Sequence, residues 1–329
     1  MIIDCHGHLV PPALLAEIAG RAGEFPSLRL AEGDGGFGFA FAGGKPTRPV
    51  SPPLQDTGKR RAWMAEHGID RQVVGGWLDM FGYELPAFEG VAWSRLINRH
   101  LAAAAEADRH VVPLATVPLQ DGTAAAEMLD EAMAAGFPGV MIGTQPKGIG
   151  GVLDDPLLAP FWAMADRRRA VVFIHPVFES GDARVHDYGM ANAVGRVTDT
   201  MIAVARLLFA GIPARHPGAR IVCAVGGAAL PAILGRLRTN HALDPTLADP
   251  EANLRALWFD TIVQDAPTLR FIAETIGAGR LMLGSDHPFP IGDRAPRRII
   301  AAAGFDAATQ AAIEGETAQR VFGLAGTKG

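Results

Sequence analysis

Short, near-continuous apolar runs alternate along the chain with longer stretches in which Ala and Leu recur at helical spacing. The apolar runs lie at 2–6, 72–76, 111–116, 139–143, 170–175, 220–224, 257–263 and 280–285, and several are bounded by Gly, Pro or Asp. Runs of this length without alternation predict strands covered on both faces. The intervening stretches predict helices at 124–135, 156–168, 194–210, 230–238 and 267–276. Asp121 and Thr123 are placed to cap the first, and Asp155 followed by Pro156 opens the second. Eight such strands, each followed by helix, predict an α/β chain closed as a (β/α)8 barrel of TIM type; a doubly wound open sheet is the rival.

Two regions break the alternation. Residues 20–53 interleave apolar and small residues around Gly-Gly and then turn proline-rich, which predicts a small hairpin inserted after the first strand. On the strand-to-helix side of a barrel, such an insertion lies at the catalytic face and can form part of a lid. Residues 306–324 predict two short closing helices, and 325–329 a frayed end. Residues 1–329 are therefore expected to form one barrel domain with an insertion.

Composition narrows the function. Of 329 residues, 49% are hydrophobic and 20% charged, which is enough apolar material for a large core. Thirty Lys and Arg stand against 35 Asp and Glu, so no basic surplus points to nucleic acid or anionic lipid. No apolar run approaches the roughly 20 residues that span a bilayer, and the opening MIIDCHGH lacks the form of a leader. Two cysteines, Cys5 and Cys223, are too few for a disulfide framework. A cytoplasmic protein is expected.

Three places carry chemistry. In His6-Gly7-His8 the histidines are two apart, so on a strand both imidazoles face one side and can share a metal ion. His175 ends an apolar strand just before Pro176, where barrel enzymes place their chemistry; a hydrogen-bonded core histidine is the simpler role. Asp286 ends the last strand, either as a helix cap or as the carboxylate that completes a three-histidine site. Imidazoles with one hard oxygen suit a divalent ion, zinc first and manganese second, with a position left for water or substrate.

Taken together, DCHGH, LDDPLLAPFWAMA, FIHP, GGAALPAILGRL, LWFDT and LGSDHPFP resemble the amidohydrolase superfamily. The likeness is to the branch containing aminocarboxymuconate semialdehyde decarboxylase and the resorcylate-type decarboxylases. It runs over most of the chain and is weak between 20 and 53. It implies a metal-dependent barrel with His6, His8, His175 and Asp286 as ligands. One departure stands out: family members commonly carry an acid/base histidine directly before the glycines of the sixth strand, and here that residue is Val225. Valine cannot move a proton or ligate a metal.

The resemblance also implies that Arg60 binds substrate carboxylate, with Arg61 as its alternative. It implies that Arg236 reaches a neighbouring subunit's substrate, and hence a homodimer. An arginine fork suits both roles, though each fits a solvated helix arginine as well. Asp260 is placed to hold a histidine's other ring nitrogen. His287 is the nearest replacement for the missing proton carrier, and Trp77, Phe81 and Tyr83 suit a pocket wall or ordinary packing. The expected activity is metal-dependent decarboxylation of a small conjugated or aromatic acid, with the metal as Lewis acid. The alternatives are a hydrolase or hydratase using metal-bound hydroxide, and a metal-binding barrel whose activity is altered through Val225.

Overall fold

The structure, a computed structural model, describes residues 1–33, 36–147, 150–176 and 181–324. Its strands are β1 (Ile3–His8), β2 (Leu28–Gly33), β3 (Gly36–Phe41), β4 (Arg71–Gly75), β5 (Val111–Pro113), β6 (Gly139–Gly143), β7 (Val171–His175), β8 (Arg220–Cys223), β9 (Trp258–Asp260) and β10 (Leu281–Met282). Leaving aside β2 and β3, these are the eight strands expected from the apolar runs. All pair in parallel, in the orders β1-β4-β5 and β10-β9-β8-β7-β6.

Single parallel bridges join the two sets at both seams, Ala115 to Val140 and Gly7 to His287. Backbone bonds flank each bridge: Met141 N–H donates to Ala115 O at 2.9 Å, and His8 N–H to His287 O at 2.9 Å. The ring is closed, and the open sheet is excluded. Every residue of β1, β6 and β7 is buried, as parallel strands between helices and an inner core require.

The helices follow the strands with modest shifts. Asp121 caps Gly122–Ala134 by accepting from the N–H groups of Thr123 and Ala124, which places Thr123 inside the helix. The longest helix, Ala87–Ala107, was not among those expected. Its buried positions Glu89, Gly90, Trp93, Leu96, Ile97 and Leu101 do recur at helical spacing, but polar residues dilute the pattern.

β2 and β3 form the inserted hairpin, paired antiparallel from Leu28–Phe41 to Gly33–Gly36; its turn residues 34 and 35 lie outside the described set. It packs on the long helix through Phe39 and Phe41, whose rings lie 5.6 and 5.7 Å from Trp93. Ser27 binds Glu89 of that helix through both its N–H and its hydroxyl. At the other end of the chain, residues 307–322 form three consecutive helical stretches. Gly315 lies against Met1 so closely that a Cβ would sit 2.0 Å from its carbonyl oxygen. The expected frayed end, 325–329, lies outside the described residues.

Candidate metal centre

β1 runs on to His8 with a register shift between Asp4 and Gly7, and His6 and His8, two apart, share one face, the interior of the barrel. Gly7 faces the other way and has a definite role there. A Cβ on it would come 2.8 Å from Cδ of Gln72. Gln72 cannot swing aside: its Nε2 donates to Asp4 at 2.7 Å and its Oε1 accepts from Arg60.

His6, His8, His175 and Asp286 converge, with one ligand atom of each lying within 4.8 Å of all the others, and all four are buried. Each histidine turns its Nδ1 outward to an acceptor: His6 to Asp260 Oδ2 at 2.7 Å, His8 to Gly76 O at 3.1 Å and His175 to Pro176 O at 2.9 Å. Carbonyl and carboxylate oxygens only accept, so the proton sits on Nδ1 and a lone pair on every Nε2. Nε2 of His8 and of His175 then face each other at 3.2 Å, and Nε2 of His6 and Oδ1 of Asp286 are buried without a hydrogen-bond partner. Lone pairs pointed at one another in a buried site repel unless a cation lies between them. Three imidazole nitrogens and one carboxylate oxygen are a ligand set that a divalent ion fits.

The electrostatics agree at His8 and His175. Burial lowers the pKa of His8 and takes that of His175 down to about 3, which keeps both neutral and able to ligate. Burial acts the same way on His6 but is outweighed by its bond to Asp260 and the charges of Asp286, Asp260 and Asp4, so its pKa lies above the ordinary value. Burial opposes the charged form of Asp286, yet the His175 and His8 rings and the charge of His6 hold its pKa well below the carboxylate range.

Asp260 braces the site as expected. Besides His6, it accepts the backbone N–H groups of Val225 (3.1 Å), Gly226 (2.7 Å) and Ile262 (3.2 Å). Val225 therefore lies next to the carboxylate that orients His6. It is half-buried, with φ 57°, and opens a left-handed run through Gly226, Gly227 and Ala228. Phe173 lies two residues before His175, its ring 4.8 Å from His6, and Phe289 lies 5.0 Å from His8.

Other expected residues fall elsewhere. His287, the replacement proton carrier of the sequence reading, stacks its ring on Trp63 at 4.2 Å. Burial and the charges of Arg60, His67 and His8 take its pKa down to about 3. The reason lies in its neighbour: Asp286 has φ 60° and uses the inward position, which turns the following ring toward the helix Thr57–Glu66. Arg60 is fully buried, and its terminal nitrogens donate to Gln72 Oε1 and to His8 O; its contacts brace β1. Arg61 is exposed and pairs with Asp108. Arg236 is exposed on the helix Leu230–Leu243. Trp77 is buried in the core, and Tyr83 stacks on Phe81 while its hydroxyl accepts Gly143 N–H at 3.0 Å.

The sequence reading missed a group of charges. Arg196, first residue of the helix Arg196–Phe209, is buried. Among the described residues, the charges that act on it include those of Asp286, Asp79 and Arg48. The Asp79 side chain is 5% exposed, and its Oδ2 lies 3.6 Å from Arg48. The signal was present, because 196, 199, 200, 203, 204 and 207 recur at the spacing of one helix face, and the apolar members mark that face as buried.

Comparison with known proteins fits this geometry. A decarboxylase of 2-amino-3-carboxymuconate-6-semialdehyde from Dictyostelium discoideum is 27% identical over 316 residues, covering 91% of this chain and 84% of that protein. The crystal structure of 5-carboxyvanillate decarboxylase from Sphingomonas paucimobilis superposes with a TM-score of 0.81 at 21% identity, over 98% of this chain and 99% of that one. The 5-carboxyvanillate decarboxylase of Novosphingobium aromaticivorans, solved with manganese and 4-hydroxy-3-methoxy-5-nitrobenzoic acid, gives 0.80 at 20% identity, over 98% and 96%. The amidohydrolase family model matches residues 3–324, nearly the whole barrel with all four converging residues inside it, and the chain is an enzyme of the amidohydrolase family.

Proposed function

We propose that this enzyme decarboxylates a small aromatic or conjugated carboxylic acid. The observation that carries the reading is the convergence of three Nε2 lone pairs and the Asp286 carboxylate at the mouth of the barrel. The names of the relatives add the substrate class. His6, His8, His175 and Asp286 would hold the ion, which we assign as zinc because imidazole-rich sets suit it; manganese is the competitor. Bound there, the ion supplies Lewis acidity and a template for a carboxylate and a neighbouring oxygen.

The chain's own residues do the rest. Phe289, half-buried beside His8, offers aromatic surface to a planar ring, while Phe173, fully buried, backs the His6 ring. Asp260 fixes the His6 ring so that its lone pair stays aimed inward. Loss of carbon dioxide leaves a carbon that must gain a proton. Val225 carries none, and the His287 ring is committed to Trp63, so neither supplies it.

Incubation of the zinc- or manganese-loaded enzyme with hydroxybenzoic and conjugated dicarboxylic acids in deuterated water tests this. One carbon dioxide per product, with one deuterium at the vacated carbon, is expected. No carbon dioxide from any acid, together with uptake of labelled water oxygen into an ester, lactone or amide, would replace it with hydrolysis.

We further read residues 1–329 as a single domain in which 20–53 covers the site; the contact of Arg48 with Asp79 supports this. We read Arg236, exposed on its helix, as serving a neighbouring subunit, which sedimentation as a dimer would support and a monomer would remove. Among the described residues no helix is long and apolar enough to cross a membrane. Two free, buried cysteines support assignment to a reducing cytoplasm.

A further inference from the structure

We propose that Asp4 is a positioning residue for the metal: one buried carboxylate fixes both the bulge that carries His6 and the turn that carries Asp286. The proposal rests on the four-ligand centre described above and adds the group that sets its shape.

β1 and β4 fall out of step beside the site. Asp4 stands opposite Gln72 and Gly7 opposite Val74, so two residues of β1, Cys5 and His6, answer to Val73 alone. A bulge of this kind bends the strand, re-aims a side chain and leaves the extra residue out of the ladder. The His6 N–H is taken instead by Asp4 Oδ1 at 3.1 Å. The same oxygen accepts Ser285 N–H at 3.0 Å. Oδ2 accepts the Ser285 hydroxyl and, at 2.7 Å, Nε2 of Gln72. An ionised carboxylate has about four acceptor sites, and each oxygen here meets two donors.

Through Ser285 the carboxylate governs Asp286. Asp286 has φ 60°, and the backbone N–H groups around it all lead to β1. Ser285 N–H goes to Asp4 and Asp286 N–H to His6 O at 2.8 Å. His287 N–H goes to the Ser285 hydroxyl at 3.0 Å, and that hydroxyl itself donates to Asp4. On its other side Asp4 is tied through Gln72 to Arg60, whose guanidinium holds the His8 carbonyl. A buried anion and a buried cation are thus linked by one amide, and both act on backbone that carries ligands. The two ligand atoms buried without a hydrogen bond, His6 Nε2 and Asp286 Oδ1, lie 3.5 Å apart and belong to the two segments that Asp4 joins. Their separation is the distance that Asp4 controls.

The test compares wild type, Asp4→Asn, Ser285→Ala and the double variant by zinc affinity and by the visible absorption of the cobalt(II)-loaded protein, whose bands follow coordination geometry. Asparagine keeps one oxygen and turns its amide N–H groups toward two of the donors, whichever way it sits. Asp4→Asn should lower zinc affinity by about 10- to 100-fold, as loss of a group that orients a ligand does, and change the cobalt spectrum. Ser285→Ala should do the same to a smaller extent. In the double variant the two losses should combine to less than their product, because both cut one connection. Melting temperature is measured on metal-free samples. A purely structural Asp4 predicts a lower melting temperature with wild-type zinc affinity and cobalt spectrum, and that result overturns the proposal. Losses that multiply in full overturn it too. If Asp4→Asn does not fold, Ser285→Ala decides: wild-type affinity and spectrum there overturn the proposal, and a change in either upholds it. A wild type that takes up no divalent ion would remove the four-ligand centre and this proposal with it, whereas metal binding that neither variant disturbs removes the proposal alone.

Discussion

Asp260 accepts the Nδ1 proton of His6 at 2.7 Å while the same carboxylate takes the N–H groups of Val225, Gly226 and Ile262. One buried side chain thus orients a metal-ligating imidazole and pins the strained turn after β8. Asparagine at 260 has one oxygen and puts an N–H toward one of these donors. Asp260→Asn should therefore lower zinc affinity by roughly 10- to 100-fold, as loss of a ligand's orienting partner typically does. Competition against a chromophoric chelator measures it. Unchanged affinity would mean that His6 is held by its packing against Phe173 alone.

The cluster of His6, His8, His175 and Asp286 should bind about one equivalent of divalent metal per chain. Elemental analysis of the protein after dialysis checks the count. A His6→Ala, His8→Ala double variant removes two of four ligands and should come out of dialysis essentially metal-free. Full metal content in that variant would place the ion elsewhere.

Gly7 separates the two β1 histidines, and its missing side chain matters because Gln72 is held between Asp4 and Arg60. Gly7→Ala forces a methyl group into that contact. Overpacking of this kind costs about 1–3 kcal/mol. Denaturant unfolding should show the loss, and zinc affinity should fall with it, because displacing Gln72 releases Arg60 from the His8 carbonyl. Loss of neither would mean that the barrel seam yields more readily than these contacts imply.

The barrel was legible because parallel strands covered on both faces must be apolar throughout, and a run such as VVFIH has no other simple reading. His-x-His and the strand-end position of His175 were legible for the same reason: strand periodicity fixes which side chains share a face; Asp286, expected at a strand end, lies in the turn beyond β10. What escaped the sequence depends on turns and on burial of charge. The left-handed backbone at Asp286 decides that its carboxylate enters the site and that His287 leaves it. Arg60 and Arg196 look alike as helix-start arginines. Only the packing shows that the first braces β1 through the His8 carbonyl, while the second lies under the influence of Asp286.

Val225 has φ 57°, a conformation in which a β-branched residue is an outlier and which histidine adopts more readily. The turn cannot relax, because Asp260 holds the N–H groups of Val225 and Gly226, and a Cβ at Gly227 would lie 2.7 Å from the Phe259 ring. Left-handed strain costs an L-residue about 1–2 kcal/mol, and strain kept in this way points to function. Val225→His should therefore raise the melting temperature, by roughly 2 °C for a chain of this size. Val225→Asn should share the gain, because asparagine also tolerates this backbone. Binding should move the other way. Valine leaves this side of the site apolar, and an imidazole or amide there must be desolvated beside the substrate. Both variants should bind alkyl-substituted aromatic acids more weakly than wild type, and neither should turn them over faster. A gain in turnover of about a hundredfold confined to Val225→His is the size that a restored general acid or base provides. That outcome would reverse the reading and make Val225 the loss of a proton carrier. No change in binding or turnover with either variant would remove residue 225 from the site and leave Asp260 as its sole connection to the metal ligands.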